Sequence, residues 1–193
     1  MKEPKCTICG GKHYQTFCNK KPKKPIKSRS KAVKRSKPLK SKKGITKPKK
    51  KTRSQLKDKA WKAFSDYIRL RDCLATTGTT THAICITCKV RGDNSWKEYK
   101  DIQAGHAIGG RTNAILFHEE LVNGQCRYCN RQAPYGLGGD YGNYAIALIE
   151  RYGLEHYKEL QKLRFATLKI STKELEEIEQ KYKDKLKTLQ NMV

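Results

Sequence analysis

Cys85-Ile-Thr-Cys88 is followed, after 37 intervening residues, by Cys126-Arg-Tyr-Cys129-Asn130. A CxxC turn faces two thiolates toward one metal ion, and two such turns complete a tetrahedral four-cysteine shell. Four thiolates leave no position open for water, which a catalytic zinc would need, so the spacing predicts a structural zinc ion. In a core this small the metal supplies much of the folding free energy. The fold class expected from this centre is α+β, a small zinc-stapled unit of the treble-clef or ββα-metal kind flanked by helices. Cys73 stands alone and reads as a buried core cysteine.

Helical patterns lie on either side of the cysteine pairs. Leu56, Ala60, Phe64 and Ile68 recur at helical spacing after Ser54, which reads as the N-cap, and the helix is expected to run to about Cys73. Short strands and loops are expected between Ile84 and Asn130, followed by a glycine-rich loop over residues 136–142. Three helices then close the chain. The first covers about 144–152 and is stopped by Gly153, the second about 154–168, and the third starts after the cap candidates Ser171 and Thr172. The third carries Leu175, Ile178, Tyr182, Leu186 and Leu189 at steps of three and four. That stripe either packs on the body or forms a homodimer seam.

Ahead of the body the composition changes. Residues 1–53 hold 21 Lys and Arg against one acid, so they carry most of the net charge of +25. Residues 19–53 contain no acid and few large apolar groups, which predicts a disordered basic linker. Its Lys23, Lys24, Arg29, Lys34, Arg35, Lys49, Lys50, Lys51 and Arg53 are candidate phosphate contacts, since neutralising phosphates releases condensed counterions. Nucleic acid is the expected partner. A membrane is not, because the segment has no amphipathic apolar face and no run approaches a membrane span. No signal peptide is read at the N-terminus, so a reducing cytoplasm is expected, where eight cysteines favour zinc over disulfides. The expected organisation is therefore a knuckle over 1–18, the linker over 19–53 and the body over 54–193.

The first eighteen residues hold a second ligand set, Cys6, Cys9, His13 and Cys18, one residue shorter than a CCHC knuckle. Gly10-Gly11 permits a tight turn, so a second structural zinc is expected. Tyr14 and Phe17 within it either stack on unpaired bases or form a miniature core.

Between the CxxC pairs lie Gly105-His106, Arg111 and Phe117-His118-Glu119-Glu120, and Asn130 directly follows the last cysteine. In zinc-stapled ββα nuclease sites a hairpin presents a histidine and the following helix an amide or histidine. Such a histidine can deprotonate water, and a hard divalent cation can stabilise the scissile phosphate. His106 and Asn130 stand in that order; a histidine bonded to backbone is the competing reading.

The run from Gly105-His106 through Arg111 and Phe117-His118-Glu119 to Gln125-Cys126-Arg-Tyr-Cys129-Asn130 resembles the NinG/Rap recombination proteins of lambdoid phages and prophages. Tyr144 and Tyr152-Gly153 continue the likeness. The resemblance implies an HNH-like, structure-specific DNA endonuclease that acts on branched or partly single-stranded DNA such as Holliday junctions. It would work in the bacterial cytoplasm beside phage or host recombination proteins. It implies His106 as general base, Arg111 as phosphate clamp, Asn130 as ligand of a catalytic Mg2+ or Mn2+, and His118 or Glu119 as further candidate ligands. Gly105 and Gln103 stand where such enzymes often carry acids. They favour a rival reading, a non-catalytic DNA-binding accessory protein on the same platform. The knuckle favours a second rival, an RNA-binding factor.

Overall fold

The computed structural model describes residues 51–110, 112–132 and 134–192, together with Gly10. All but Gly10 belong to the unit Pro48–Val193. The knuckle ligands, Tyr14, Phe17, the basic positions from Lys23 to Lys50, and Arg111 lie outside the described residues.

Helix α1 (Arg53–Thr77) is capped by Thr52, not Ser54. Thr52 and Gln55 form a capping box, each side chain bonding the other's backbone N–H. The helix also outruns its expected end. The hydroxyls of Thr76 and Thr77 donate back to the carbonyls of Asp72 and Cys73. This ties two residues of modest helix propensity into the last turn before Gly78, which adopts a left-handed conformation (φ 68°).

Two antiparallel hairpins lie against α1. In the first, β1 (His82–Ile84) pairs with β2 (Trp96–Glu98), with the short α2 (Ile86–Val90) between them. In the second, β3 (Ile102–His106) pairs with β4 (Val122–Cys126) in a register that sets Gly105 opposite Asn123 and His106 opposite Val122. Its long connection holds α3 (Asn113–Leu116). After β4 come α4 (Arg127–Asn130), α5 (Tyr141–Tyr152), α6 (Leu154–Lys162) and α7 (Thr172–Asn191). Helix α5 begins three residues earlier than expected, and α6 gives way at Leu163–Phe165 to a 3-10 turn. The expected α+β class is thus observed, with seven α-helices and two small sheets among the described residues.

The core has two main parts. Ile86, Ala107, Ile108, Ile115, Leu121, Tyr144, Leu148 and Leu160 bury α5 and α6 against α2 and the β3–β4 connection. Phe64, Tyr67 and Ile68 of α1 meet Ala104, Val122 and Tyr182, with Ile178, Leu186 and Leu189 of α7 alongside. The stripe on α7 is therefore taken up by α1, the first of its two readings. Phe64 stacks edge-on against Tyr182 at 4.7 Å and Phe117 at 5.8 Å. Removing a fully buried ring of this kind costs about 3–5 kcal/mol. Cys73 is buried beside Ala83 and Ile102, as its isolation suggested, and burial pushes its thiol up to about 11.

Candidate metal centre and adjoining cavity

Each CxxC pair begins at the end of a strand and turns into a short helix, Cys85 capping α2 and Cys126 capping α4. The four sulfurs lie within 4.8 Å of one another and all four residues are buried. Cys88 is 3.8 Å from Cys126 and 3.6 Å from Cys129, sulfur to sulfur. A tetrahedron with metal–sulfur bonds of ~2.3 Å has edges of about 3.8 Å, so the donors fit one zinc-sized ion. Their protonation points the same way. Hydrogen bonding from Cys126 holds the Cys85 thiol down to about 4, whereas burial pushes Cys88 up to about 12. Four buried thiols cannot all ionise side by side unless a cation compensates them.

Arg91 supplies an outer layer. Its guanidinium donates to Cys129 Sγ at 3.0 Å and Cys88 Sγ at 3.4 Å, and also pairs with Asp140. Thr87 Oγ1 lies 3.4 Å from Cys85 Sγ. Such contacts orient thiolates and spread the charge of a four-thiolate centre.

The second hairpin leaves this centre carrying buried polar groups. Asp72 of α1 accepts from Gly124 N–H and from Arg71 Nε at 2.7 Å. Arg71 also donates to the carbonyls of Glu119 and Val122 and to Asn123 Oδ1. Asn123 receives a further bond from Arg151 at 2.8 Å. Buried Gln125 reaches across to Gly139 O at 2.7 Å and Thr87 Oγ1 at 3.3 Å. Tyr144 donates to Gly105 O at 2.8 Å. None of Arg71, Asp72, Arg151 or Tyr144 was singled out from sequence for this role. A charge within a helical stripe gives no signal of the strand it will meet.

His106 ends β3 and is 6% exposed. Its ring stacks on Trp61 (5.1 Å between centroids, 16° between planes), and Nε2 lies 3.3 Å from Leu116 O. A bond to that carbonyl needs the proton on Nε2. Asn130 ends α4, and its Nδ2 donates to Gln103 Oε1 at 2.7 Å, leaving Oδ1 as its acceptor. Gln103, standing where an acid is common, therefore orients Asn130. His106 and Asn130 line one cavity of about 470 Å³ together with Ile108, Gly109, Gly110, Gln132, Gly138 and Tyr141.

The other candidates are placed elsewhere. Glu119 accepts from Tyr67 and Tyr182 at 3.1 Å each and from Lys185, tying α1 to α7. His118 lines a separate groove with Phe117, Ile170 and Ile178. Neither borders the cavity that His106 and Asn130 share. Position 105 has no room for a side chain, because a Cβ there would sit 2.4 Å from Gln125 Oε1. Lys51 and Arg53 lie at the start of α1, and Arg53 donates to Ile170 O. Among the described residues, no helix is long and apolar enough to cross a membrane.

The fold and the cluster define a small α+β protein organised round four cysteines that could hold one metal ion such as zinc. The chain matches the family model described as Bacteriophage Lambda NinG protein over residues 2–192, and it belongs to that family. The family places it among recombination-related phage proteins. Comparison with curated proteins and with solved structures gave no match.

Proposed function

We propose that the chain is an HNH-like, metal-dependent endonuclease that hydrolyses phosphodiesters in branched DNA such as Holliday junctions. The observation that carries this reading is the meeting of His106 and Asn130 across one polar cavity, on a hairpin anchored by the cysteine cluster. Cys126 ends β4, so a zinc ion held by the four cysteines would fix the end of that strand and the register that delivers His106. Trp61 and the Leu116 carbonyl hold the imidazole's orientation, and the His106 ring is assigned the role of base toward the attacking water. Asn130 Oδ1, oriented by Gln103, is the described residue best placed to hold a divalent cation. Bound Mg2+ or Mn2+ would neutralise charge at the scissile phosphate. Arg111, a few residues beyond His106, is assigned the phosphate by its resemblance to the family motif. The test is incubation of the full chain with a synthetic four-way junction and Mg2+ or Mn2+. Nicking is expected, and Asn130→Ala should raise the cation concentration required.

A second reading has its own observation. Among the described residues lining the cavity there is no Asp or Glu, and Glu119 is committed to the α1–α7 contact. A zinc-dependent accessory protein that binds junctions without cutting them would need no such carboxylate. Junction binding without nicking under either cation would select this reading.

A further inference from the structure

Tyr141 lines the His106 cavity, and two further exposed tyrosines, Tyr128 and Tyr135, stand in the segment that leads up to it. Tyr128, Tyr135 and Tyr141 are 60%, 78% and 48% exposed. Their placement follows from a loop that folds back on α4. Leu137 N–H donates to Tyr128 O, Gly138 N–H to Arg131 O and Gly139 N–H to Cys129 O. Gly136 is needed for that return, since a Cβ there would lie 2.4 Å from Tyr128 O and 2.5 Å from Arg131 O. The return brings Tyr141 to the cavity wall. Its ring lies against Gly139, where a Cβ would come within 2.8 Å of it, and its hydroxyl reaches toward Gly109, which also lines the cavity. Gly139 thus makes room for a half-exposed ring that lines the cavity.

We infer that Tyr141, with the exposed Tyr128 and Tyr135 of the same segment, is a stacking platform for unpaired DNA bases, holding a splayed strand so that its backbone crosses the cavity. The inference rests on the nuclease or junction-binding reading and names the feature of the substrate that the site selects. A tyrosine ring offers a face to every base, so stacking is tolerant of sequence and selective for bases out of the helix. Intact duplex hides those faces. The charge agrees with this occupant: Arg131 lies exposed within the loop and Arg127 on α4, and the whole chain carries +25. Leu137 in the same segment is also exposed. An apolar protein partner would be served as well by leucine or isoleucine, and exposed aromatic faces in a segment that also carries exposed arginine are the chemistry suited to nucleotides.

The test uses the full chain without added Mg2+ or Mn2+, so that it reads binding alone. The probe is a duplex with a three-base bulge containing 2-aminopurine, compared with the fully paired duplex, at salt high enough to suppress non-specific binding. Wild type should change the 2-aminopurine emission on binding and prefer the bulged probe. Tyr141→Ala should weaken binding to the bulged probe about tenfold and leave the paired duplex unchanged. Tyr141→Phe should retain the preference, and Tyr141→Leu should not. Tyr135→Ala, at the most exposed position, guards against a folding defect and should lower the preference by several-fold. Equal binding of both probes by wild type overturns the inference, as does a Tyr141→Leu variant that matches wild type. Because no cleavage is measured, failure here is distinguishable from failure of the nuclease reading, which is judged with cation present.

Discussion

Adding one methyl group at position 105 probes how the histidine is held. The Cβ of Gly105→Ala would meet Gln125 Oε1 at 2.4 Å and Gln125 Cβ at 3.0 Å. Overpacking of this sort costs roughly 1–3 kcal/mol, so the variant should melt well below wild type. The penalty should shrink in a Gln125→Ala background, and an equal penalty in both would exclude this contact as its cause. Any side chain at position 105, acidic or not, would have to displace Gln125 from its observed place. Glu119 offers a second residue-level test. Burial alone would raise its carboxyl, but hydrogen bonds from Lys185, Tyr182 and Tyr67 outweigh this and hold it below its ordinary value. A depressed carboxyl stabilises the fold above its unfolded value of about 4.3, and loses that contribution as pH falls through the lower folded value. Glu119→Gln should thus lower the melting temperature near neutral pH and lower it less at about pH 3.5. A deficit independent of pH would show that the ionised form contributes nothing.

Among the elements, the cysteine-bearing turns control the most. Cys126 ends β4 and caps α4, so it couples the hairpin to the helix that carries Asn130. Cys126→Ser should abolish the cooperative melting transition of the body, whereas Cys9→Ser should spare it. Elemental analysis of metal-saturated wild type should find two zinc ions per chain. An intact transition in Cys126→Ser would deny the cluster its structural role. These turns were the most legible part of the sequence, because ligand spacing is a local property. The α7 stripe was also legible, and its partner followed once α1 offered Phe64 and Tyr67. The start of α1 was misread at Ser54, although Thr52 and Gln55 carried the capping-box pattern three residues apart. The site was half legible. His106 and Asn130 were singled out by motif order, but Trp61 meets His106, Gln103 meets Asn130 and Tyr141 reaches the cavity only through tertiary packing and strand register. Glu119 was offered as a ligand from its nearness in sequence to His106, and packing sent it to α7 instead.

Across the whole molecule, charge and chemistry are divided. Residues 19–53 hold 18 Lys and Arg and no acid, while the cavity sits in the body. We expect the basic segment to supply affinity and the body selectivity. Deleting 19–50 spares the Thr52 cap and should weaken binding to duplex and junction alike. It should also flatten the dependence of log K on log salt by about 0.9 per lost phosphate contact. An unchanged slope would mean that the segment touches no phosphate. The central claim is that His106 is the base of a nuclease, and one comparison tests it most directly: cleavage of a four-way junction by wild type and His106→Ala with Mg2+ or Mn2+. His106→Gln is run alongside, since it keeps a polar side chain against Trp61 and Leu116. Wild type should nick the junction, and both variants should lose ~10²–10⁴-fold in rate while retaining zinc and junction affinity. Normal cutting by His106→Ala, or wild type that binds junctions and never cuts them, would contradict it.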